Sequence, residues 1–203
     1  MEDMKDVYVI CLLLFFATFT LFDVSAQSIS TSVPKKPDIN STYLFYLHGG
    51  VVQEQGANAV SKYYGKYEYQ DILDTLKNRD FYIISEIRPK NTKEKEYAKK
   101  LKNQIDALIR LGVSDKNIIV VGASLGAYIS LETSILNKNP NIRFVLLGLC
   151  SEYALEYFQP FQKDFSGHFL SIYESSDSKG KCLSIFQNQI SNCLYLTSRR
   201  APR

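Results

Sequence analysis

The stretch Asn117-Ile-Ile-Val-Val-Gly-Ala-Ser-Leu-Gly-Ala127 constrains this chain more than any other. Four β-branched residues run straight into Gly122-Ala123-Ser124-Leu125-Gly126, and helical spacing follows over residues 125–136. Such side chains pack well on a pleated surface, so the run predicts a strand. A serine between two glycines at a strand-to-helix junction sits on a sharp, strained turn that lifts its hydroxyl out at the carboxyl end of the sheet. The glycines are needed because a side chain at either position would strike the adjoining strand or helix. Ser124 is therefore a candidate nucleophile.

Other segments repeat the same alternation. Residues 43–47, 81–84, 118–121 and 144–147 are short, continuous apolar runs, the mark of strands buried on both faces, and 169–173 is a weaker fifth. Between and after them, residues 67–77, 97–111, 125–136 and 183–190 carry apolar side chains at helical spacing. Strand alternating with helix predicts an α/β fold, with a mostly parallel sheet of about five strands and helices on both faces. Ligands in such sheets sit at the carboxyl ends of the strands.

With 45% hydrophobic and 22% charged residues among 203, the chain reads as one globular domain once its first segment is set aside. Residues 7–22 are apolar, and Val24-Ser25-Ala26 offers small residues where a signal peptidase reads. Residues 1–26 are accordingly expected to be a signal peptide, and the mature protein to be secreted or periplasmic. Glu2, Asp3 and Asp6 outnumber Lys5 at the start, against the usual positive charge, so a retained anchor or a buried helix stay open as other readings. Residues 27–41, rich in Ser, Pro, Lys and Asp, read as a linker, 42–190 as the domain, and 191–203 as an atypical tail with a basic end.

Removing four acidic residues with the signal leaves a domain more basic than the +3 of the whole chain. The lysines are scattered among acids over helix faces, with no aromatic-basic motif, which argues against nucleic acid as a partner. No membrane partner is expected after signal cleavage, and the oligomeric state stays open. Cys150, Cys182 and Cys193 show no metal-ligand spacing, so no structural zinc is expected. A Cys150 to Cys182 disulfide is the favoured pairing, with three buried thiols as the alternative.

His48-Gly49-Gly50 comes directly off the first strand. A glycine pair there lets backbone N–H groups of Gly50 and Val51 turn toward the crevice, where they can stabilise the oxyanion formed when a carbonyl is attacked. The N–H of Leu125, just after the serine, is the companion donor. His48 precedes the turn and is expected to buttress the loop.

The HGG loop, the GASLGA turn and an acidic residue after a later strand occur in an order that resembles the α/β-hydrolase family, over roughly residues 42–190. The resemblance implies a serine hydrolase acting on a small-molecule acyl substrate, a carboxylic ester or related bond, with no metal or organic cofactor. It also implies an incomplete version of the fold, holding the family's third to seventh strands without its first two and its eighth. Asp177 stands where the family places the carboxylate that orients its histidine, although helix capping and the rival Glu174 remain alternatives.

The family expects its histidine downstream of the acid, and the chain has only His48 and His168. His168 opens the fifth strand, at the wrong end of the sheet, and is the weak candidate for the base. Three explanations stay open: a damaged or frame-shifted longer hydrolase, a family member that has lost catalysis, or a base supplied by a partner chain. Catalysis is expected to be impaired, and a non-catalytic binding protein with the same pocket is the alternative. A frame shift predicts that another forward frame beyond codon 190 encodes a strand followed by histidine and glycine; sequencing the gene checks it, and finding no such frame removes that explanation.

Overall fold

The computed structural model describes residues 29–77, 79–174, 185–186 and 193–198. In chain order the strands are β1 (Ile29–Ser30), β2 (Thr42–Leu47), β3 (Val60–Ser61), β4 (Gly65–Lys66), β5 (Phe81–Ile84), β6 (Ile118–Ala123), β7 (Arg143–Leu147), β8 (His168–Glu174) and β9 (Cys193–Ser198). The helices are α1 (Gly50–Gln55), α2 (Tyr69–Lys77), α3 (Glu94–Arg110), α4 (Leu125–Asn137) and α5 (Glu152–Phe158). Seven strands form one sheet in the order β1-β5-β2-β6-β7-β8-β9, every neighbouring pair parallel. β3 and β4 make a separate antiparallel hairpin.

The apolar runs are continuous because each strand faces a core on both sides. Along β2, Tyr43, Phe45 and Leu47 point into one core with Leu101, Ile105 and Leu108 of α3 and Ile129 and Leu131 of α4. The intervening Leu44 and Tyr46 point into a second core with Val52 of α1 and Tyr69 and Leu73 of α2. Strand side chains alternate in direction, so a two-sided core demands apolar residues at every position.

The α/β class, the parallel sheet and all five expected strands are present, but the sheet is larger than the sequence suggested. Ile29–Ser30, placed in the linker, pairs with Ile83 and Ile84 at one edge. Cys193–Ser198, assigned to the tail, pairs along the whole of β8 at the other. The sheet thus extends past the expected five strands at both ends, and β9 shields the edge of β8 from stray pairing. The signal segment 1–26 and most of the helix expected at 183–190 lie outside the described residues.

Two glycines let the layers close. A Cβ on Gly126 would lie 2.0 Å from the Leu47 carbonyl oxygen, and one on Gly122 would lie 2.3 Å from the Gly126 oxygen. The first turn of α4 therefore rests directly on the end of β2. Gly126→Ala should cost about 3 kcal/mol or more, because the atoms it meets are backbone and cannot swing aside. Urea unfolding measures this, and a loss under about 1 kcal/mol would mean the two elements separate easily.

Candidate active site

Ser124 occupies the residue between β6 and α4 with φ 52° and ψ −113°, one of four non-glycine residues with positive φ among those described. Strain of this kind costs about 1–3 kcal/mol and persists only when the surroundings enforce it. Here the Ser124 N–H donates to the Leu147 carbonyl at 2.8 Å, and its own carbonyl accepts from Tyr128 in the first turn of α4. The side chain is exposed at the carboxyl end of the sheet.

The loop at 48–51 faces this turn. A Cβ built on Gly49 would lie 3.8 Å from the Ser124 Cβ, and one on Gly50 would lie 3.5 Å from Leu125 Cδ2. The Gly49 N–H donates to the Tyr67 hydroxyl at 3.3 Å, which itself pairs with the Tyr46 hydroxyl at 2.8 Å. Gly50 and Val51 begin α1 and Leu125 begins α4, so none of their N–H groups has an acceptor within its own helix. Gly50 and Val51 line the crevice on one side of the serine and Leu125 on the other.

His48 holds this loop from behind and is fully buried. The Arg88 backbone N–H donates to its Nε2 at 2.9 Å, so Nδ1 carries the proton and donates to the Gly49 carbonyl at 2.8 Å. Burial, and then the nearby Arg88 charge, push its pKa down to about 4, which keeps the ring neutral. The Arg88 guanidinium, also buried, donates through Nη2 to the His48 carbonyl and through Nε to Gln53 of α1 at 3.0 Å. It lies 5.5 Å from the centre of the Tyr97 ring on α3. His48 buttresses the loop, as expected. Arg88 and Gln53 were not singled out in the sequence, where an isolated Arg after Ile87 carries no periodic or motif signal.

His168 starts β8 level with Arg143, whereas Ser124 follows Ala123, which is level with Leu147 and Ile172. Four residues of extended chain, roughly 13 Å, separate the two levels. His168 is exposed there, in a shallow hollow with Lys116, Asn141 and Arg143. The structure does not bring it to the serine, which removes it as the base. Asp177 lies outside the described residues, and its rival Glu174 ends β8. Cys150 is disulfide-bonded, which overturns the reading of three free thiols; its partner is not among the described side chains.

Two lobes of one crevice meet at Ser124. The smaller, about 180 Å³, is lined by Glu94, Leu125, Tyr128, Leu149, Tyr153 and Ala154 among others. The larger, about 410 Å³, lies under the β3–β4 hairpin and includes Gly49, Gly50, Val51, Tyr64, Lys66 and Tyr67. Of the aromatic residues on α5, Phe158 is core at 0% exposure, while Tyr153 is 67% exposed and lines the smaller lobe. Glu94, in the first turn of α3, was not anticipated as a lining group.

A parallel sheet with helices on both faces and a strained serine turn beside an HGG loop is the α/β-hydrolase fold. Solved structures with this fold agree. The chain superposes on a variant of SOBER1 from Arabidopsis thaliana with TM-score 0.56 and 12% identity, covering 78% of this chain and 89% of that one. It superposes on esterase PE8 with TM-score 0.53 and 13% identity, covering 85% and 91%, and on esterase Est22 with TM-score 0.51 and 14% identity, covering 83% and 64%. No protein-family model matches the sequence. No curated protein matches it significantly.

The depressed His48 pKa fixes a pH dependence. The folded pKa of about 4 lies below the ordinary 6.5, so between these values the unfolded chain binds the proton and the folded one does not. This contribution is complete above pH 6.5 and is lost as pH falls toward 4, with a slope approaching about 1.4 kcal/mol per pH unit. Urea midpoints across that range should show it in the wild type and lack it in His48→Gln.

Proposed function

We propose that this chain is a serine hydrolase acting on a carboxylic ester or related acyl bond of a small molecule. The observation that supports this best is the pairing of a strained, exposed Ser124 with the close approach of the HGG loop to its turn. The Ser124 hydroxyl attacks the carbonyl, and the N–H groups of Gly50, Val51 and Leu125 stabilise the oxygen as it becomes negative. Burial of Arg88 and His48 behind the loop favours fixed amides that need no rearrangement as charge develops.

The proton from Ser124 is the weak point. His48 is neutral, buried and committed at both ring nitrogens, and His168 sits at the far end of the sheet. Asp177 keeps its assignment as the orienting carboxylate, with no histidine of this chain to orient. Turnover is therefore slow, sustained by the oxyanion donors and substrate positioning. The N-terminal apolar segment supports action outside the cytoplasm. A second reading, a binding protein that keeps the crevice without catalysis, is favoured by the same commitment of both histidines.

A fluorophosphonate probe separates the two. The hydrolase reading expects labelling of the wild type at Ser124 and none in Ser124→Ala, with p-nitrophenyl acetate hydrolysis about a thousandfold or more below an intact triad. Absence of labelling selects the binding reading. Fast turnover abolished by Ser124→Ala would show that an efficient base exists and overturn the account of the histidines.

A further inference from the structure

The smaller lobe beside Ser124 has an unusual chemistry for its size. Among the described charged side chains that line either lobe, the only acid is Glu94, and it lies in the smaller one. The same lobe is lined by Tyr128 and Tyr153, whose rings stack on each other at 6.1 Å with an angle of 16° between their planes. Leu125, Leu149 and Ala154 supply the remaining apolar wall. A small lobe lined by a carboxylate and by aromatic rings attracts a cation twice, by direct charge and through the ring quadrupole.

Neighbouring residues point the same way. The Lys95 ammonium lies 5.5 Å from the centre of the Tyr157 ring, which is 5.2 Å from Tyr128 and 6.3 Å from Tyr153. The tyrosine cluster thus already holds one ammonium group, outside the lobe itself. Glu132 lies one turn beyond Tyr128 on α4, 6% exposed, with an Oε1 that meets no hydrogen-bond partner among the described residues. Bonding to Tyr157 first, and then the Glu132 charge, favour the protonated form of Lys95. With Glu152 at the start of α5, the acids around the cluster outnumber that lysine. Burial first, and then bonding to Tyr157 and Tyr153, raise the Tyr128 pKa, so the lobe presents a neutral phenol alongside Glu94.

We propose that this lobe binds a small ammonium group, and that the substrate is an ester carrying such a group a few bonds from the scissile carbonyl. A volume of about 180 Å³ leaves room for a group the size of trimethylammonium. The ester part rests on the hydrolase reading; the ammonium site stands independently of it. In either case the positive group lies in the lobe next to the serine, and the rest of the molecule extends toward the larger lobe or solvent.

The test is a titration of the intact protein with tetramethylammonium chloride, read by amide NMR shifts at Gly148, Ser151 and Ala154. Potassium chloride at equal ionic strength and neopentyl alcohol, an uncharged probe of similar shape, are the references. Supporting results are saturable shifts with tetramethylammonium and an affinity for neopentyl alcohol roughly fivefold or more weaker. Glu94→Gln should then weaken tetramethylammonium about tenfold and leave neopentyl alcohol unchanged. Tyr153→Leu, at an exposed position that folding tolerates, should weaken it about threefold. Equal binding of both probes, no saturation, or indifference to Glu94→Gln overturns the proposal. Fluorophosphonate labelling of Ser124 without ammonium binding removes this site and leaves the hydrolase reading standing. Ammonium binding without labelling supports the site and removes the ester.

Discussion

The first turn of α4 lies on the carbonyl at the end of β2, with no room for a side chain at Gly126. That one close approach fixes three things together. It brings the end of β2 alongside the end of β6, it holds the HGG loop against the turn that carries Ser124, and it forces the serine into a positive-φ conformation that free chain avoids. Strain at position 124 survives because the packed layers on either side leave the backbone no alternative.

Behind the loop, a buried arginine and a neutral histidine join elements far apart in sequence. Arg88 reaches the His48 carbonyl, Gln53 on α1 and the Tyr97 ring on α3, while its own amide sets the tautomer of His48. A network of this kind is sensitive to the loss of any member, because the remaining polar groups are then buried without partners. It also commits His48 entirely to architecture. The serine hydroxyl is exposed, while His48 lies buried behind the loop and His168 opens β8 at the far end of the sheet.

Much of this was legible in the sequence because it depends on local patterns. Continuous β-branched and aromatic runs announced the five inner strands, since only two-sided burial tolerates residues such as Tyr43-Leu-Phe-Tyr-Leu47. The glycines at 122 and 126 announced the turn, because few other arrangements need both. The edges were harder. Two residues at Ile29–Ser30 are too few to show alternation, and Cys193–Ser198 was obscured by the basic, aperiodic residues that follow it. Arg88, Gln53 and Glu94 act through contacts between distant elements, and no spacing along the chain records such contacts. Asp177 could be placed by order alone and lies outside the described residues.

The strand order has a consequence for how the molecule forms. β2 lies between β5 and β6, so this inner strand is made well before either neighbour, and both must come from distant stretches of chain. Parallel pairing across such separations pays loop-closure entropy before any contact repays it, which slows assembly. Until β6 and the helix after it arrive, the HGG loop at the end of β2 has no serine turn to rest on. Formation of the crevice is thus a late event, coupled to docking of the sheet's two halves, and a nascent chain lacking residues beyond the serine turn would hold neither of its lobes.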